Sequence, residues 1–203
     1  MGHSYYQLKR QRYQPPREAV FTTGAAVGNG RAGSTLSKQV QQGKLVRLGQ
    51  GIYARSELVP PSWVDALVVA VKAPEVVFSS ATALHLRGLL RWVPPAVFVS
   101  QERGAAPPTA PYVPTRVRWV DSDLLRIDTK QDQFSDIWMR LSNPGRAAAE
   151  LFADRHVIGV AMCTSLILEL CEDGVLDVGE ALTHAHRLRC AAELATLLGA
   201  ASG

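Results

Sequence analysis

The stretch "TLSKQVQQGKLVRLGQGIYARSE", Thr35–Glu57, decides how the chain is read. Its first part is a polar helix, expected over roughly Gly33–Gln42. Leu36 and Val40, four residues apart, define one apolar stripe. Gly33 is expected to join that stripe and let a second helix approach closely. The opposite face collects Ser34, Lys38, Gln41 and Gln42, with Thr35 on its flank and Arg31 just before the helix. Gly43 is a favoured C-terminal stop. "KLVRLGQGIYA" then reads as a hairpin, its apolar residues flanking Gly49–Gln50–Gly51, with glycines available for positive φ.

Working outward, "AVFTT" is an extended lead-in, with Thr22 or Thr23 placed to cap a brief helix ending in a Gly-Asn-Gly turn. Residues 20–57 thus read as helix, turn, helix and hairpin. That is a winged helix-turn-helix, whose second helix enters the major groove. Lys, Arg and Gln are the side chains that read G and A edges there. Arg31, Ser34, Thr35, Lys38, Gln41 and Gln42 are the expected groove-facing residues. Lys44, Arg47 and Gln50 are the expected contacts from the wing to the sugar-phosphate backbone or an adjacent minor groove.

Charge supports the same reading. Residues 1–55 hold nine Lys or Arg and one acid, Glu18, a net of +8. The other 148 residues carry 13 basic and 17 acidic groups, a net of −4. A basic head on a mildly acidic body points to a polyanionic partner for the head. The segment before it, residues 1–19, is polar and basic. Tyr5–Tyr13 reads as a short helix broken by Gln14–Pro15–Pro16.

"SELVPPS" reads as a linker, and residues 62–203 as an α+β body. Ser62 is expected to cap an apolar helix, "SWVDALVVAVKA". "EVVFSS" is short and extended, and "SATALHLRGLL" is a helix with Gly88 near its end. Strands are expected within about 95–142: "PAVFVSQ", "TRVRWVD" and "DLLRIDTK". Arg103–Pro114 is a Pro/Ala-rich loop. Helices follow over Arg146–Asp154, Gly159–Cys171, Val178–Arg187 and Leu188–Leu198.

The head and several body segments resemble the AbiEi-type antitoxins of type IV toxin–antitoxin, or abortive-infection, systems. "VFTT…TLSKQVQQGKLVRLGQGIYA" resembles that family's N-terminal winged helix-turn-helix. "VVFSSATALHLRGLL", "PPAVFVS", "LSNPGRAAAELF" and "CEDGVLDVGEALTHAHRL" continue the resemblance into the body. It implies a cytoplasmic repressor that binds inverted repeats in its own promoter, with self-association on the DNA. It also implies antitoxin activity against a nucleotidyltransferase-like toxin without a stable complex between the two. A solitary regulator and a protein-interaction or nuclease-associated module are the alternatives.

Little suggests an enzyme, and no cofactor is expected. His184 and His186 lie two apart on a helix and so diverge by about 200°, poor geometry for a shared metal. His85 has no nucleophile or acid at a telling spacing, and reads as a packed or surface histidine. Asp121, Asp123 and Asp128 read as strand-end and turn residues. No phosphate-loop or dinucleotide fingerprint occurs. Cys163, Cys171 and Cys190 form no CxxC, are expected in helices, and suit a reducing cytosol as core residues. Trp63, Trp92, Trp119 and Trp138 are expected as core and interdomain anchors. No apolar run reaches the roughly 18 residues of a membrane span, and the first residues lack the apolar segment of a secretory signal.

Overall fold

The computed structural model describes residues 20–26, 32–59, 61–134 and 137–201. The chain divides between residues 60 and 61 into a small head and a larger body.

In the head, β1 (Val20–Thr22) leads directly into α1 (Thr23–Ala26). After a gap in the described residues come α2 (Ala32–Gln41), β2 (Leu45–Gly49) and β3 (Ile52–Arg55). β3 is central in an antiparallel sheet ordered β1-β3-β2. The hairpin turn is Gln50–Gly51, with Gly51 at φ +71°. The β2–β3 register shifts between Arg47 and Gly49, a bulge at Leu48. It changes which residues face inward, because an extra residue breaks the two-residue alternation of a strand. Leu45 and Leu48, three apart, are both buried, while Val46 and Arg47 are both exposed. The head's core is Phe21, Ala26, Leu36, Leu45 and Tyr53, with Val40 packed against it. Phe21 stacks on Tyr53 at 6.1 Å between ring centroids.

The body is α+β. A 3-10 turn at Pro61–Trp63 precedes α3 (Val64–Lys72). Ser62 therefore lies inside the turn and does not cap the helix; Trp63 is the N-cap residue, without a side-chain hydrogen bond. Then follow β4 (Val77–Phe78), α4 (Ser80–Leu86), β5 (Val97–Glu102), β6 (Thr115–Val120), α5 (Ser122–Leu125), β7 (Thr129–Phe134) and β8 (Ile137–Ser142). The five strands form one mixed sheet, β6-β5-β4-β8-β7. β4 has two residues yet sits at its centre, antiparallel to β5 and parallel to β8. Residues 97–101 of β5 are all buried, as befits a strand covered on both faces.

"DLLRIDTK" is not a single strand. Asp121 takes the N-cap position of α5, and its carbonyl accepts from the amides of Leu124 and Leu125. This local turn buries Leu125 and leaves Asp121 and Asp123 at a helix start; only Thr129 onward is extended. The Arg103–Pro114 loop is tied down at both ends. Gln101 Nε2 donates to the Ala106 carbonyl, and Asp65 Oδ1 accepts from the amides of Tyr112 (2.8 Å) and Val113 (3.4 Å).

The C-terminal helices are α6 (Pro144–Ala153), α7 (Arg155–Ile158), α8 (Val160–Glu172), α9 (Val178–Arg187) and α10 (Ala191–Ala201). α6 starts two residues earlier than expected because Pro144 occupies its first turn, where a missing amide costs nothing. α10 starts three residues later: Arg189 at φ +60° ends the preceding turn, and Cys190 lies outside any helix. α6 and α9 approach so closely that a Cβ on Gly145 would lie 2.9 Å from the Asp177 carbonyl oxygen. Among the described residues, no helix is long and apolar enough to cross a membrane.

Trp138 departs from expectation. It is 58% exposed, opposite Gln133 on the β7–β8 hairpin, because the strand alternation there spends its buried position on Met139. Trp63, Trp92 and Trp119 are half-buried, and Trp63 meets Phe134 edge-on at 5.4 Å. Cys163 and Cys190 are buried and Cys171 half-buried.

Candidate nucleic-acid interface

α2 is built as a one-sided helix. Leu36 is fully buried and Val40 half-buried against the head's core. At 100° per residue, Ser34, Lys38 and Gln41 fall within about 60° of arc on the far side, and all three are exposed. Thr35 is half-buried on the flank. Gly33 does not join the buried stripe. It is exposed, and among the described residues a Cβ there would meet nothing within 4 Å.

The helix closes at Gln41, one residue short of expectation, so Gln42 presents from the exposed C-terminal turn. Gly43 has φ +70°. The Gly43 amide donates to the Val40 carbonyl at 3.0 Å, and the Lys44 amide to that of Gln39 at 3.1 Å. This pair of bonds is the Schellman stop, which needs a left-handed residue at that position. It turns the chain straight into β2, so α2 and the hairpin are separated by three residues.

Ser56 fixes that junction, which sequence spacing did not suggest. Its hydroxyl donates to the Gly43 carbonyl at 2.8 Å, across 13 residues. Ser37, another exposed residue of α2, is likewise absent from the expected set; its hydroxyl is turned back onto the Gly33 carbonyl.

On the hairpin, Lys44 and Arg47 are exposed and Gln50 sits at the exposed turn. Arg47 is paired across the strands with Tyr53, and its Nε donates to the Gly49 carbonyl at 3.3 Å. The bulge sets Val46, 40% exposed, beside it. Among the described residues no ion pair engages Lys38, Lys44 or Arg47. Arg31, the basic residues of 1–19, the helix read over Tyr5–Tyr13 and the Gly-Asn-Gly turn lie outside the described residues.

In the body, Asp121 and Asp128 are each engaged by a different side chain. Asp121 Oδ1 accepts from Arg103 Nε at 3.0 Å. Asp128 Oδ2 lies 2.6 Å from His184 Nε2. His184 is buried and His186 exposed, so the two diverge as their spacing requires. His85 borders a small cavity of about 30 Å³ with Asp65 and Thr82.

No family model matches the chain, and no curated protein matches it. Among solved structures, it is similar to the crystal structure of the RV2827C protein from Mycobacterium tuberculosis. The TM-score is 0.53 at 14% identity, over 91% of this chain and 77% of that one. At that identity the likeness bears on fold alone.

Proposed function

We propose that the chain is a sequence-specific DNA-binding repressor of the cytoplasm whose head reads promoter DNA. One observation carries the reading. α2 buries Leu36 and Val40 and turns an acid-free face of Ser34, Lys38 and Gln41 outward, with a hairpin fastened to its end. A solvated helix face ordinarily mixes both signs of charge. This one carries a cation among amide and hydroxyl groups, the chemistry that pairs with base edges and phosphates. In this reading α2 enters the major groove, and Lys44, Arg47 and Gln50 track the flanking backbone. Arg31, just before α2 in the sequence, belongs with the groove-facing set, and the basic N-terminal residues add phosphate contacts.

The resemblance to AbiEi-type antitoxins extends the proposal. The chain would repress its own operon by pairing on inverted repeats, and neutralise a nucleotidyltransferase-like toxin without binding it stably. A solitary regulator would use the same face, and the neighbouring gene distinguishes the two. The nuclease-associated alternative has less support, because Asp121 and Asp128 are each engaged by a different cation or imidazole.

The test is a gel shift with the protein's own upstream DNA at a stated salt concentration, against excess shuffled duplex. Retention of the complex supports the proposal. Equal competition by the shuffled duplex would remove the claim of sequence specificity.

A further inference from the structure

A cavity of about 330 Å³ opens in the body. Four arginines from four places in the chain border it: Arg103 after β5, Arg118 on β6, Arg146 on α6 and Arg187 on α9. Trp119 and His184 complete the part of the lining that matters here.

Asp121 and Glu150 also line the cavity, and these acids, like Asp154 beside it, are already engaged. Glu150 Oε1 accepts from Arg146 Nε at 2.9 Å. Its Oε2 accepts from the Ser142 hydroxyl at 2.9 Å and the Ser80 amide at 3.1 Å. Asp121 is held by Arg103, and Asp154 Oδ1 accepts from Arg118 Nη2 at 2.8 Å. Arg146 is rigid as well as buried. Its Nη1 donates to the carbonyls of Leu124 (3.4 Å), Leu125 (3.1 Å) and Ile127 (2.5 Å).

Arg187 is different. It is exposed, and no carboxylate of the described residues lies within 4.0 Å of it. Its Nη1 lies 3.5 Å from His184 Nδ1, while His184 Nε2 faces Asp128. A proton on Nε2 donates to Asp128 and leaves Nδ1 to accept from Arg187. The chain Asp128–His184–Arg187 therefore steadies an uncompensated guanidinium at the cavity. A guanidinium fork with no carboxylate on it suits an anion with several acceptor oxygens. Trp119 adds a flat apolar surface of the kind on which a base stacks. The volume lies near the small end of ligand sites, about 300–1,000 Å³, far below what a duplex needs.

The geometry points to a binding site for a small phosphorylated ligand in this cavity, with Arg187 as its principal charge and Trp119 as a platform for an attached ring. The site lies within the body and is independent of the function proposed for the head.

Calorimetric titration of the full chain tests this with three probes: inorganic phosphate, adenosine 5′-monophosphate and adenosine. The monophosphate should bind, and adenosine should bind roughly tenfold more weakly or not at all, the loss of one charge-assisted contact set. Phosphate weaker than the monophosphate supports the ring contact; phosphate equal to it makes a free oxyanion the ligand and still supports the site. Arg187→Gln should weaken monophosphate binding roughly tenfold or more with an unchanged melting temperature, while Lys38→Ala should leave it as it was. No heat from either phosphate probe at millimolar concentration would overturn the inference. So would unaltered binding by Arg187→Gln, or a loss with Lys38→Ala as large as with Arg187→Gln, which would move the anion to the head.

Discussion

Leu36 and Lys38 stand two residues apart on α2 and do opposite work: one is sealed in the head's core, the other is exposed without a counter-ion among the described residues. That division was legible in the sequence, because helical phasing places the two on opposite sides whatever the tertiary surroundings. The role of Gly33 was not legible, since it depends on what lies over the first turn. Arg47 is the clearest candidate for a phosphate contact, so Arg47→Ala should weaken binding to all duplexes and flatten the dependence of log K on log salt by about one unit. An unchanged slope in a salt titration would remove Arg47 from the backbone contacts. The thiols make a second residue-scale prediction. Burial pushes the Cys163 thiol up to about 11 and raises that of Cys190. Both stay protonated where an ordinary thiol begins to ionise, and only the thiolate attacks. A disulfide reagent at about pH 8 should therefore modify Cys171 first, and the other two only on unfolding. The sign for stability follows: the contribution of Cys163 is intact below its ordinary value of 9.0 and is lost as pH rises toward about 11. Rapid modification of all three thiols in the folded chain would contradict the burial.

At the scale of elements, glycine stops were the most readable feature. Gly43 and Gly88 both have positive φ, +70° and +73°, and both end helices as their positions suggested. A Cβ on Gly43 would touch nothing within 4 Å, so Gly43→Ala isolates the backbone cost of the left-handed turn, about 1–2 kcal/mol. Chemical denaturation should show that loss, and Gly43→Asn should lose less; an unaffected alanine variant would mean the turn can relax. α5 was misread because "DLLRID" alternates well enough to pass as a strand, whereas the capture of two amides by the Asp121 carbonyl is a local choice that alternation does not reveal. α6 hides a costlier surprise. "GRAAAELF" places Arg146 and Glu150 four apart on a helix buried almost all round. Glu150→Ala would strand Arg146, the Ser142 hydroxyl and the Ser80 amide, and should cost about 3–5 kcal/mol. Replacing both members with apolar residues of similar volume should recover most of it, and a double variant no better than the single one would show that the pair is not the origin of the loss.

For the whole molecule, the α+β class and a body of strands followed by helices could be read from patterning, since periods of two and 3.6 separate cleanly there. The strand order β6-β5-β4-β8-β7 could not, because a two-residue β4 at the sheet's centre carries almost no periodic signal and is defined by its neighbours. The charge division between head and body was visible from composition alone, and it made the head the place to look for a polyanion. The central claim is that α2 reads base edges, as distinct from merely attracting phosphate. Fluorescence anisotropy on two labelled duplexes of equal length, the chain's own upstream DNA and its shuffled counterpart, separates these at a fixed salt concentration. Lys38→Ala should cost about 1–3 kcal/mol on the upstream duplex, roughly five- to 150-fold in Kd, and leave the shuffled duplex unaffected. Equal losses on the two duplexes, or none on either, would contradict the assignment of α2 as the reading helix.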